Sequence, residues 1–68
     1  MRQVITEDGV VKHEGDRAFN YYDGKWGVIG RIDDSGWFDF RHDDGSRTLL
    51  NGARIANKKP AWMTHIKD

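Results

Sequence analysis

The stretch GWFDFRHDDGS, residues 36–46, decides the reading of the fold. Three aromatic residues fall within four positions, followed by a histidine, two aspartates and a glycine. In an extended strand, side chains alternate between the two faces. Phe38, Phe40 and His42 then share one face, and Trp37, Asp39 and Arg41 share the other. The two phenylalanines are the natural core positions. His42 is expected at the strand end, where that face runs out into solvent. Asp43 and Asp44 suit a turn, because a short carboxylate can accept from backbone amides just downstream.

The same punctuation recurs along the chain. Asp-Gly occurs at Asp8-Gly9, Asp23-Gly24 and Asp44-Gly45, Asn-Gly at Asn51-Gly52, and Asp-Asp-Ser-Gly at residues 33–36. Glycine reaches positive φ without a steric penalty, and Asp or Asn tolerates it, so these pairs mark tight turns. Between them lie QVIT (3–6), VVKH (10–13), RAFNYY (17–22), KWGVIGRI (25–32), WFDFRH (37–42), SRTLL (46–50) and ARIA (53–56). These segments are rich in β-branched and aromatic residues, which fit a pleated surface. The pattern predicts an all-β domain, a small barrel of five to six short antiparallel strands. Gly27 and Gly30 inside the long fourth segment predict a bulge or bend.

Domain organisation follows from the same signals. Residues 1–56 form the barrel, with a core unit over 15–56 and an N-terminal hairpin over 2–13. Residues 57–68, NKKPAWMTHIKD, form a tail expected to make a short turn or helix starting at Pro60 and to pack on the barrel. Trp62, Met63 and Ile66 are its apolar residues. Phe19 and Tyr21 are expected on one face of their strand, which directs Tyr22 outward.

Composition narrows the function classes. Sixty-eight residues make one small domain, and with no cysteine it has neither disulfides nor thiolate metal sites. Eleven basic residues balance eleven acidic ones, whereas a non-specific nucleic-acid binder usually carries a positive excess. No apolar run is long enough to span a bilayer or to serve as a signal peptide, so a cytoplasmic location is expected. His42, Asp43 and Ser46 share one tight turn, a poor setting for a catalytic triad. The carboxylates near Asp33 and Asp43 lack calcium-loop spacing. No catalytic residue, metal or cofactor is expected.

What remains is a surface. Tyr22, Trp26, Trp37 and Trp62, together with Arg31, Arg41 and Arg47, are the candidate partner-binding residues, since aromatic rings and arginine dominate binding energy at protein interfaces. The partner expected is a protein, either a host protein or a second copy, leaving monomer and homodimer open. The alternative is a nucleic-acid-binding barrel using Arg31, Arg41, Arg47, Arg54, Lys58 and Lys59.

Two resemblances go with these segments. GDRAFNYYDGKWGVIGRID followed by GWFDFRHDDGSRTLL resembles an SH3-like barrel of the Tudor type across about residues 15–56. That family implies an aromatic cage for methylated side chains, but the matching positions are Asn20, Gly27, Arg41 and Asp44, none of them aromatic. The plasmid-encoded type II dihydrofolate reductases are barrels of this class as well. Where they carry Val-Gln-Ile-Tyr, this chain has Arg47-Thr48-Leu49-Leu50. GDRAFNYYD, WFDFRHDDG and LLNGARI are similar to segments of short uncharacterised proteins of actinobacterial phages, which implies a viral origin and expression in the host cytoplasm.

Overall fold

The structure, a computed structural model, describes residues 2–63. Seven strands follow one another: β1 (Gln3–Ile5), β2 (Val11–His13), β3 (Arg17–Asn20), β4 (Lys25–Ile32), β5 (Trp37–His42), β6 (Arg47–Asn51) and β7 (Ile55–Ala56). Among the described residues there are also two 3-10 turns, one at Gly52–Arg54 between β6 and β7 and one at Ala61–Met63. All strand pairs are antiparallel. β1 and β2 form a hairpin, while the other five strands make one curled sheet in the order β6-β5-β4-β3-β7. The domain is thus a small all-β half-barrel with a hairpin closing its open side. Among the described residues no helix is long and apolar enough to cross a membrane.

The turns form where the glycines allow them. Gly9, Gly24, Gly36 and Gly45 all take positive φ, between 70° and 91°. Asn51-Gly52 behaves differently. Asn51 is extended, its side chain accepts from the Ala53 amide, and a 3-10 turn follows in place of a tight hairpin. Gly52 lies so close to the Ile5 carbonyl that any Cβ there would collide with it. That approach docks the N-terminal hairpin against the end of β6.

The long strand β4 carries the bend. Its register against β5 shifts between Ile29 and Ile32, which places Gly30 within a bulge. Gly27 is needed for a separate reason, since a side chain there would run into the Arg41 carbonyl and the Phe40 ring. The sheet can therefore curl tightly at this point.

The core gathers Val4, Ala18, Ile29, Ile32, Phe38, Phe40, Leu50 and Ile55. β5 alternates as its sequence demands, with Phe38, Phe40 and His42 inward. His42 departs from expectation: it is 3 % exposed and does not reach solvent. The turn after β5 folds back over it, and Ser46 closes that end of the barrel.

β3 also departs from expectation. Ala18 and Asn20 face inward, while Phe19 faces outward and is nonetheless fully buried. The Trp26 ring, 5.4 Å away between centroids, and the register partner Ala56 cover it. The strand is buried on both faces, so apolar content alone could not reveal which side was the core.

The hairpin is tied down at both ends. Arg2 Nη1 donates to the Ile32 carbonyl at 3.0 Å, and the Glu7 amide donates to the Ile55 carbonyl at 2.9 Å. The Asp8 carboxylate accepts from the Asn57 and Lys58 amides, and Thr6 donates its hydroxyl to the same group.

Candidate functional site

The exposed aromatic residues are joined by a cation. Arg54, in the 3-10 turn before β7, sets its guanidinium 4.9 Å from the Tyr22 ring centroid and 5.9 Å from that of Trp37. Tyr22 packs on Tyr21 at 5.2 Å, and Trp62 meets Tyr21 edge-on at 6.5 Å. An unbroken run results: Trp37, Arg54, Tyr22, Tyr21, Trp62. Tyr22 is 63 % exposed and Trp62 is 71 % exposed, so much of this ring area faces solvent.

Local structure fixes each member. Trp37 starts β5, where its amide and that of Ser35 donate to Asp33 Oδ1 and hold the preceding turn. Tyr21 and Tyr22 lie in the turn after β3, whose backbone is capped by Asn20 Oδ1 accepting from the Tyr22 amide at 3.0 Å. The Tyr21 hydroxyl donates to the Ala53 carbonyl and so anchors the rings to the 3-10 turn that carries Arg54. Burial pushes the Tyr21 phenol pKa up, with Tyr22 and Glu7 adding to the effect against Arg54. The phenol stays a proton donor at neutral pH.

The sequence-derived surface is only partly assembled. Tyr22, Trp37 and Trp62 come together, with Arg54 and Tyr21 as the links between them. Arg41 and Arg47 are register partners on the outer sheet face. They lie on the same face as Trp37, about 13 Å along the strand at 3.3 Å per residue. Arg31 is exposed on β4 and makes none of these ring contacts. Among the described residues, Arg31, Arg41 and Arg47 form no ion pair.

Trp26 belongs elsewhere. It lies half-buried over Phe19, with the Arg17 guanidinium 5.9 Å from its ring centroid. Its indole Nε1 is buried and finds no acceptor among the described residues. Arg17 is itself held by a bidentate pair to Asp43 at 2.8 and 2.9 Å, which also lowers the Asp43 pKa. Of the sequence-derived tail residues, Trp62 joins the run, and Ile66 lies outside the described residues.

His42 and Ser46 do meet, with Nδ1 2.9 Å from Oγ. The Ser46 hydroxyl donates to Asp44 Oδ1 at 2.6 Å, so its proton is directed away from the imidazole. That hydrogen bond and the Ser46 amide, followed by Lys25, hold the Asp44 carboxyl well below the usual range. The group stabilises a turn. Among the described residues no cluster of three or more His, Asp or Glu side chains could hold a metal ion.

No protein-family model, curated protein or solved structure matches this chain.

Proposed function

We propose that this chain is a non-enzymatic interaction module of the SH3-like small-barrel kind, which binds a protein partner through the aromatic–arginine run. One observation carries the reading. Arg54 is stacked between Tyr22 and Trp37, in continuity with Tyr21 and Trp62, and two of the four rings, Tyr22 and Trp62, are open to solvent while Trp37 and Tyr21 are half-buried. Rigid aromatic rings with a stacked guanidinium are the kind of surface that concentrates binding energy at protein interfaces. The strand order β6-β5-β4-β3-β7, with a 3-10 turn before the last strand, supports the barrel assignment. The resemblance of its segments to short actinobacterial phage proteins makes a protein of the host cytoplasm the first partner to test.

A nucleic-acid reading draws on one feature, the adjacent Arg41 and Arg47 on the outer face. Asp39 on the same outer face offsets part of that charge, Asp43 and Asp44 are matched by Arg17 and Lys25, and Arg54 is engaged with the rings.

The test is affinity capture from bacterial lysate with the parent, the Tyr22→Ala/Arg54→Ala double variant and Arg31→Ala, each with and without nuclease. The proposal expects a nuclease-resistant partner that the double variant loses and Arg31→Ala keeps. Capture abolished by nuclease, or unaffected by the double variant, overturns it.

A further inference from the structure

The five-stranded sheet has two edges, and they are treated differently. The β7 edge is short and covered: Glu7 donates to the Ile55 carbonyl, and the β1–β2 hairpin lies against the neighbouring turn through Gly52 and Ile5. Among the described residues the β6 edge is open. The His42 amide donates to the Ser46 carbonyl at 2.8 Å, which sets the hydrogen-bond phase of this strand pair. Antiparallel pairs alternate between bonded and non-bonded positions. Given the register of β5 and β6, Thr48 and Leu50 bond to β5, whereas Arg47 and Leu49 turn their amides and carbonyls outward. The Asn51 amide points outward with them. Among the described residues nothing pairs with these groups. Leu49, at the middle of this edge, is 63 % exposed.

We infer that β6 pairs with β6 of a second copy of this chain, antiparallel about a two-fold axis through Leu49. The inference concerns a surface distinct from the aromatic–arginine run and does not rest on it.

Hydrogen-bond count and charge both favour this register. An axis through Thr48 or Leu50 keeps the phase but bonds only two of the three outward-facing residues, because the third then meets the turn at Gly45 or the 3-10 turn at Ala53. With Leu49 at the axis, every outward-facing amide of one strand meets an outward-facing carbonyl of the other. Leu49 exchanges bonds with Leu49 of the second copy, and Arg47 lies opposite Asn51. The two exposed leucine side chains fall side by side on the outer face, where directly opposed residues are close enough to pack. Thr48 faces Leu50 on the inner side. A shift that centres the axis on Arg47 would oppose two guanidinium groups, which is destabilising. A shift that centres it on Asn51 would bring Leu49 against Ala53, which lies in the 3-10 turn and presents no strand. β6 also lacks the proline, bulge or inward charge by which open edges are commonly blocked. The contact is small, so the association belongs to the weak, concentration-dependent kind.

Sedimentation velocity of the full chain from micromolar to millimolar concentration tests the inference. The parent should shift from monomer toward dimer as concentration rises. Leu49→Pro removes the outward amide without touching the β5 ladder. Leu49→Lys keeps the amide and sets two ammonium groups at the axis. Each should weaken dimerisation at least tenfold while keeping the parent's circular dichroism spectrum, and the lysine variant covers the case in which proline disturbs the strand. The chain has no cysteine, so Leu49→Cys should form a disulfide-linked dimer on mild oxidation. Val11→Cys, exposed on the hairpin, should not. A parent that stays monomeric at millimolar concentration overturns the inference and leaves the edge to a strand of another protein or to the chain's own last residues. A dimer that survives Leu49→Lys and Leu49→Pro overturns it as well, because the contact then lies elsewhere.

Discussion

Asn20 Nδ2 lies 3.0 Å from His42 Nε2 inside one end of the barrel, where both side chains are buried. The amide orientation is not free. Asn20 Oδ1 accepts from the Tyr22 and Asp23 amides, so Nδ2 must be the atom that faces the imidazole. Nδ2 can only donate, which makes His42 Nε2 an acceptor and puts the ring proton on Nδ1, toward Ser46.

That assignment has a spectroscopic readout. A long-range nitrogen–proton correlation spectrum should show His42 Nε2 as the accepting nitrogen and the ring proton on Nδ1. In Asn20→Ala the acceptor and two turn amides lose their partner, at a cost of about 1–3 kcal/mol. A spectrum showing the proton on Nε2 would refute the network.

Phe40→Ala should be severe. The ring is fully buried between Phe38 and His42 in the core, and deleting such a ring costs about 3–5 kcal/mol. Native domains hold only about 5–15 kcal/mol in total, and a domain this small lies toward the low end. Urea unfolding should show a large drop in midpoint. Leu49→Ala, on the exposed side of β6, should change it little.

Gly27→Ala tests the curl of the sheet. The added methyl meets the Arg41 carbonyl and the Phe40 ring, and overpacking of this kind costs about 1–3 kcal/mol. The variant should melt at a lower temperature. Unchanged melting would mean that β4 and β5 lie farther apart than the structure places them.

Acid should loosen the hairpin first. Burial pushes the Asp8 pKa up, but hydrogen bonds from Thr6, Asn57 and Lys58 outweigh it and leave the carboxyl lowered. With a folded-state pKa below the unfolded one, the carboxylate's stabilisation is complete above about pH 4 and is lost as pH falls through the folded value. Protection of the Asn57 and Lys58 amides, taken as exchange relative to the intrinsic rate at each pH, should therefore fall toward low pH. In Asp8→Asn that protection should already be reduced at neutral pH and should lack the acid step.

Arg54→Ala should separate binding from stability. A guanidinium over exposed rings contributes about 0.5–1 kcal/mol to the fold, so melting should shift only slightly. Binding of a captured partner should fall at least tenfold, about 1.4 kcal/mol. Arg54→Lys should not restore it fully, because a compact ammonium lacks the planar face that stacks on the rings.

Some of this architecture is written locally and some is not. WFDFRH reads as a strand with Phe38 and Phe40 inward because a period of two needs only the residues themselves. The glycines at 9, 24, 36 and 45 announce their turns for the same reason. Phe19 misleads because its two cross-strand neighbours on the outer face, Trp26 and Ala56, flank it from either side. Neither neighbour is adjacent to it in the chain. His42 misleads because its cover comes from Ser46, past the turn. Tyr22 and Trp37 are legible as outward-facing rings, but Arg54, which joins them, is placed by the closing of the barrel. No local pattern could have drawn it into that group.

The seam where β7 meets β3 has consequences for how the molecule assembles. It consists of two residue pairs, Phe19 with Ala56 and Asn20 with Ile55, and those partners are separated by the whole β4–β6 meander. Each hairpin of the meander can form from neighbours in sequence, whereas the seam must wait until a long loop has closed. The last step to fold is then also the step that brings Arg54 to the rings. A nascent chain would acquire its β4–β6 sheet before the aromatic–arginine run exists, so the recognition proposed for that run would begin only when the barrel is shut.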